Sequence, residues 1–311
     1  MCRRMLKYCL SAGAALVLWL GASAPLFAKN GTEAHGSIPE AVADFPARRT
    51  DHWQRSVYVW DSAALLDPLR HEEQVRALSQ AGFNHVHVGF DATQVRRLGQ
   101  QKGQVIKALE GLKQQGFTVG LLLGDPDWML PEHRDGLLQL IDHFAGLPFD
   151  ELHLDLEVEQ LGWPVPEQRL RQWLQTLGEI SARSPWPVTL VCHHRWFAPS
   201  RRDAAVCVPC ELPGLGIHRV TAMLYSRAEK SVVQRTTAML EAWPELEFQL
   251  AQSVEQELAH ENSWHGATAM ELKQFDEYLQ TKLRPRGLSG VAWQDWKQYP
   301  RGSRGNRESK P

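Results

Sequence analysis

The chain is poor in cysteine, has no long run of Lys and Arg, lacks a Gly-rich phosphate turn and carries a single long apolar segment. Each shortage excludes something. Of five cysteines, Cys2 and Cys9 fall in the first 28 residues, leaving Cys192, Cys207 and Cys210. Three thiols cannot build the framework of a disulfide-stapled mini-protein. Cys207-Val208-Pro209-Cys210 has the spacing of a redox pair, but nothing around it has the pattern of a thioredoxin unit, so a local disulfide pinning a loop is expected. Without a basic run, nucleic acid is not an expected partner. The missing phosphate turn after the first strand disfavours a doubly wound nucleotide-binding sheet, and no cofactor is expected.

The one apolar segment has a clear character. Arg3, Arg4 and Lys7 precede an apolar run over Leu10 to Leu20, and small residues lead to Ala28 before the polar Lys29-Asn30. That is the layout of a secretory signal peptide over residues 1–28. The expected destination is the periplasm or the exterior, with no stable membrane association after cleavage. Removing three of the 34 basic residues leaves 31 against 36 acidic ones, a mature formal charge of −5. The remaining 283 residues suffice for one large domain with a full core. Residues 29–50 read as an N-terminal linker and 301–311 as a disordered basic tail.

Between them, over residues 51–300, an amphipathic helix, a Gly or Pro break and a short apolar strand recur. The expected strands are Val57–Asp61, His85–Phe90, Thr118–Leu123, Phe149–Glu159, Val188–His194, Arg219–Tyr225, Phe248–Glu255 and Leu288–Trp293. Eight such units over about 245 residues match the size of an α/β fold of the (β/α)8 TIM-barrel type, in a single domain.

The fourth strand carries the chemistry. From Phe149 to Glu159 a two-residue period puts Leu152, Leu154, Leu156 and Val158 on one face and His153, Asp155, Glu157 and Glu159 on the other. A row of carboxylates cannot lie in dry core, because an unpaired buried charge costs several kcal/mol or more. In a covered parallel sheet the row points into the barrel, with its last members at the C-terminal mouth. The other strand ends offer Asp61, Asp91, Asp125 with Asp127, His193 with His194, Tyr225, Glu255, and Trp293 with Asp295. Seven of twelve tryptophans (Trp60, Trp128, Trp163, Trp196, Trp264, Trp293 and Trp296) follow strand ends. Flat apolar rings beside hydrogen-bonding carboxylates suit a sugar, whose faces are C–H and whose edge is hydroxyl.

Two carboxylates are what glycosidic cleavage requires, one protonated to release the leaving oxygen and one to attack or stabilise the oxocarbenium ion. Glu157 is the candidate acid, since Asp155 two residues earlier raises its proton affinity. Glu255 across the mouth, or Asp155 itself, is the candidate second group, and Tyr225 completes the catalytic set. Trp60, Asp125, Asp127, Trp128, His153, His193, Trp293 and Asp295 are expected to contact a saccharide substrate.

Asp150-x-x-His153-x-Asp155-x-Glu157 resembles the D-x-x-D-x-D-x-E strand-four signature of family 18 chitinases. Met223-Leu224-Tyr225 resembles their strand-six Met-x-Tyr element, and Gly290-Val291-Ala292-Trp293 their strand-eight Trp. The resemblance implies Glu157 as acid, Asp155 as its charged partner, Tyr225 as an orienting hydroxyl and Trp293 as the floor of the cleaved-sugar site. The chain departs from the signature in having His153 in place of an Asp and Ser226 where an Asp often follows the Tyr. The Glu157/Glu255 pair is similar instead to the large retaining clan with Glu on strands four and seven. Gly124-Asp125-Pro126-Asp127-Trp128 also resembles a group of uncharacterised exported bacterial barrels related to glycosidases. The leading expectation is an exported, retaining glycoside hydrolase. The alternatives are a non-catalytic saccharide-binding barrel, and a metal-dependent hydrolase using Asp125, Asp155, Glu157, His193 and Glu255.

Overall fold

The computed structural model describes residues 52–300; the leader, linker and basic tail expected at 1–28, 29–50 and 301–311 lie outside them. Eight parallel strands close into a barrel in chain order. They are β1 (Gln54–Val59), β2 (His85–Gly89), β3 (Thr118–Leu123), β4 (Glu151–Leu154), β5 (Val188–His193), β6 (Arg219–Met223), β7 (Glu247–Ser253) and β8 (Leu288–Gln294). β8 closes onto β1, with Val57 opposite Trp293. The helices are α1 (Ala63–Leu66), α2 (His71–Gln80), α3 (Ala92–Gln114), α4 (Pro131–Phe144), α5 (Glu167–Arg183), α6 (Val208–Glu211), α7 (Glu229–Ala242) and α8 (Ala269–Leu283). The (β/α)8 barrel read from the repeat is the fold of the described residues. Among them, no helix is long and apolar enough to cross a membrane.

Local chemistry sets the elements. Asp91 caps α3 through its side chain, accepting from the N–H groups of Thr93 and Gln94, while Gln94 reaches back to the Asp91 N–H. Val105, Leu109 and Leu112 then fall on one stripe of that helix, and Leu109 and Leu112 are fully buried. At roughly 1.5–3 kcal/mol for each large apolar side chain removed from water, such stripes hold the helices to the sheet. Outward residues of the strands, among them Val57, Val86, Leu121, Leu152 and Leu154, supply the other half of this layer. The loop after β5 is pinned by the expected disulfide, Cys207–Cys210, with Cα atoms 5.3 Å apart, whereas Cys192 is a free, buried thiol.

The barrel interior is tiered. Tyr58, Leu122, Val191, Met223, Ala251 and Ala292 form an apolar tier near the C-terminal end, with Trp60 and Tyr225 packed above it. Beneath lies a buried polar floor of Ser56, His85, His87, Glu151, His153, Thr189 and Gln249, with Arg219 at its edge. Strand four ends sooner than its alternation predicts. The Asp155 N–H still bonds the Leu123 carbonyl at 2.8 Å, but β3 stops there and Pro126–Met129 turns away as a 3-10 helix. With no neighbour to continue the ladder, Val158–Leu161 coils into a 3-10 turn as well.

Candidate active site at the barrel mouth

Three carboxylates meet at the mouth: Asp155 and Glu157, just past β4, and Glu255, just past β7. They interact electrostatically with one another, and none forms an ion pair among the described residues. Asp155 is nearly buried, and its Oδ1 has no hydrogen-bond partner. Burial first, then the charges of Glu159 and Glu255, push its carboxyl up to about 7. Burial also drives Glu157 well above the usual carboxylate range, helped by Asp155 and Glu159 and opposed by a hydrogen bond from the Gln160 amide. Glu255 rises to about 7, mainly through burial. Its carboxylate accepts from the Ser253 hydroxyl at 3.1 Å. Glu159, raised chiefly by burial, accepts from the Trp196 indole N–H at 3.3 Å. Acids crowded together in a buried place hold protons more tightly, and such perturbed groups cluster at functional sites.

Two buried phenols lie close to these acids. Tyr225 is pushed well above its ordinary value by burial and by Glu255, Asp155 and Glu157, so it is a neutral O–H donor facing the acids. Tyr58, on β1, is held neutral by burial and by Asp155. It stacks with Trp60 at 6.5 Å between ring centroids. Gly124 makes room for that indole, since a Cβ there would sit 2.7 Å from the Trp60 ring and 3.0 Å from the Asp155 Cβ.

Other expected contacts fall elsewhere. His153 lies beneath the mouth, 1 % exposed, with one ring nitrogen on the Tyr58 hydroxyl at 2.9 Å and the other on the Thr189 hydroxyl at 2.7 Å. Burial brings it down to about 3, so the ring is neutral; it positions Tyr58 and does not face the opening. Trp293 points outward, because alternation along β8 turns Ala292 into the barrel. It packs against Phe275 of α8 and Tyr299 and floors no sugar site. Trp196, Trp264 and Trp296 are likewise buried under loops, while Trp60 and Trp128 stay half-buried and Trp163 is exposed. Asp125 caps the 3-10 turn after β3 through the Asp127 N–H, and Asp127 is exposed. Half-buried His193 accepts from the Arg195 N–H and stacks on His194; burial and His194 lower it to about 4. Half-buried Asp295 accepts from the Gln298 N–H, and burial raises its carboxyl.

Tyr58 is not among the expected site residues; its signal is its two-residue spacing from Trp60 at the end of β1. Nor are His85 and His87, although the His-x-His spacing suits metal ligands. Among the described residues, the one His/Cys/Asp/Glu set whose ligand atoms converge within 4.8 Å is His85, His87 and Glu151, in the floor. The hard-ligand set expected at the mouth does not converge in this way. Beyond β5 and β6, a groove of about 470 Å³ opens beside His194, lined by Arg195, Arg201 and Arg235 and by no acid.

No protein-family model and no curated protein matches the sequence. Solved structures do. A family 18 chitinase from Pseudoalteromonas aurantia superposes with a TM-score of 0.51 at 13 % identity, over 78 % of this chain and 93 % of the chitinase. A thermostable mutant of a xylanase from Cellvibrio japonicus gives 0.47 at 14 % identity, over 78 % and 86 %. D-psicose 3-epimerase from Clostridium cellulolyticum gives 0.47 at 8 %, over 77 % and 83 %. The chain thus has a TIM-barrel fold. Identities this low carry the fold and not the chemistry.

Proposed function

We propose that this protein is an exported glycoside hydrolase acting on a poly- or oligosaccharide, with Glu157 as general acid/base. The observation that carries the reading is the meeting of Asp155, Glu157 and Glu255, largely buried, at the C-terminal mouth of the barrel. Glu157 is buried beside Asp155 and has no ion-pair partner among the described residues, which raises its proton affinity, as an acid that must protonate a leaving oxygen requires. Glu255, across the barrel just past β7, is the nucleophile of a retaining double displacement, and Asp155 tunes the acid from below. Tyr225 donates to the developing charge or to a sugar hydroxyl, while Trp60 offers a flat apolar face. Export rests on the sequence of residues 1–28, and the Cys207–Cys210 disulfide fits an oxidising compartment.

The test is reducing-sugar release by the purified mature chain from a panel of chitin-type, plant and bacterial polysaccharides. Activity on one of them that is lost in Glu157→Gln supports the reading. Saturable binding without turnover in the wild type would instead make the chain a saccharide-binding barrel.

A further inference from the structure

We propose that His85, His87 and Glu151 bind one divalent transition-metal ion in the floor of the barrel, below the mouth and separate from it. Both histidines lie on β2 two residues apart and so share its inward face, while Glu151 opens β4 on the far side of β3. His85 Nε2 is 3.1 Å and His87 Nδ1 is 3.4 Å from the same carboxylate oxygen, Glu151 Oε1. Ligands bonded at about 2.0–2.2 Å in a tetrahedron are roughly 3.3–3.6 Å apart, so the His87 separation is that of donors on a shared zinc-sized ion and the His85 separation of 3.1 Å falls just short of it. The three atoms are fully buried, and although both imidazoles lie at ion-pair distance from Oε1, none of the three makes a well-aligned hydrogen bond. Three unsatisfied donors and acceptors at one point are costly unless a single partner serves them all, and a cation does.

Two independent features of the surroundings fit. Gly120, on β3 between the ligand strands, has no side chain where a Cβ would lie 2.9 Å from His87 Nδ1 and 3.1 Å from Glu151 Oε1. Glycine there keeps the space next to both ligand atoms open. Arg219 occupies the other carboxylate oxygen at 3.1 Å, which leaves Oε1 turned to the imidazoles. Arg219 is also shared with Glu247 at 3.3 Å. His153 stacks on His87 at 3.8 Å, and its own nitrogens are engaged by Tyr58 and Thr189, so it walls the site and fixes the His87 ring. The apolar tier above, with Leu122, Val191 and Met223, separates the ion from the mouth. The ion therefore ties β2 to β4 and touches no substrate, and the proposal stands apart from the hydrolase reading.

Untagged protein from zinc-supplemented medium, desalted and measured by plasma mass spectrometry, should carry about one zinc ion per chain. His87→Gln and Glu151→Gln should lose it, and His193→Ala at the mouth should keep it. Should either floor variant fail to fold, wild-type protein stripped with a chelator decides. Added zinc should raise its Tm with concentration, and cobalt(II) should give the visible absorption of a low-symmetry histidine site. A folded wild-type protein that is metal-free and unmoved in Tm by zinc, cobalt or manganese overturns the proposal. So does zinc that survives His87→Gln but is lost in His193→Ala.

Discussion

Replacing Asp155 with Asn should change how the stability of the barrel depends on pH. In the folded protein burial, Glu159 and Glu255 raise the Asp155 carboxyl from 3.8 to about 7. In the unfolded chain it titrates near its ordinary value. Between about pH 4 and pH 7 the folded state therefore holds a proton that the unfolded state has released, and stability falls as pH rises through that window. Above about pH 7 both states are ionised and the penalty is constant; below about pH 4 both are protonated and it vanishes. A gap of about three pKa units at 1.36 kcal/mol each gives about 4 kcal/mol. The neighbouring acids titrate in the same range, so this figure belongs to Asp155 among wild-type neighbours and does not add to theirs. Asn has the same shape and cannot ionise. The stability difference between Asp155→Asn and wild type should therefore grow by about 4 kcal/mol from pH 4 to pH 8, or roughly 8–16 °C in Tm for a domain of this size. Urea unfolding of both proteins at pH 4, 6 and 8 measures it. A difference that stays the same at all three would show that Asp155 is not held protonated, and the description of the mouth would be refuted.

Gly124→Ala places a methyl against the Trp60 ring and Asp155, and overpacking of this kind costs about 1–3 kcal/mol. Chemical denaturation and near-UV circular dichroism of Trp60 should both register it, whereas an unchanged midpoint would mean that the indole moves aside freely. His153→Phe leaves the Tyr58 and Thr189 hydroxyls without their shared partner and should cost about 1–3 kcal/mol, checked by the urea midpoint. Cys207→Ser with Cys210→Ser opens a four-residue loop worth about 2 kcal/mol in chain entropy, so Tm should drop while hydrolysis of the substrate is kept.

The barrel was legible because its signals are repeated. Eight apolar strands between amphipathic helices leave few alternatives, and the alternation of Leu152 and Leu154 with His153 and Asp155 assigns the faces of β4 correctly. Where the chain leaves its strands, the pattern loses force. The end of β4 is set by where β3 stops, which no residue of β4 encodes. Tryptophan was the poorest guide. Trp196, Trp264 and Trp296 satisfy their indole N–H groups on Glu159, Gln252 and Gln74 inside the protein, and a sequence does not distinguish such an indole from one waiting for a sugar. Trp293 was misplaced by one residue of register, enough to send a strand side chain to the opposite face. The polar floor went unseen because β2 reads as an apolar strand; its histidines meet Glu151 only once the barrel closes.

The most direct measurement is kcat/KM of wild type and Glu157→Gln on a polysaccharide of the panel from which the proposed activity releases sugar, with folding of the variant confirmed by its unfolding midpoint. A general acid contributes about 10²–10⁴-fold, so a loss of that size in a folded variant is the expected result. A folded Glu157→Gln protein that hydrolyses the substrate within about threefold of wild type, well short of that contribution, would contradict the assignment.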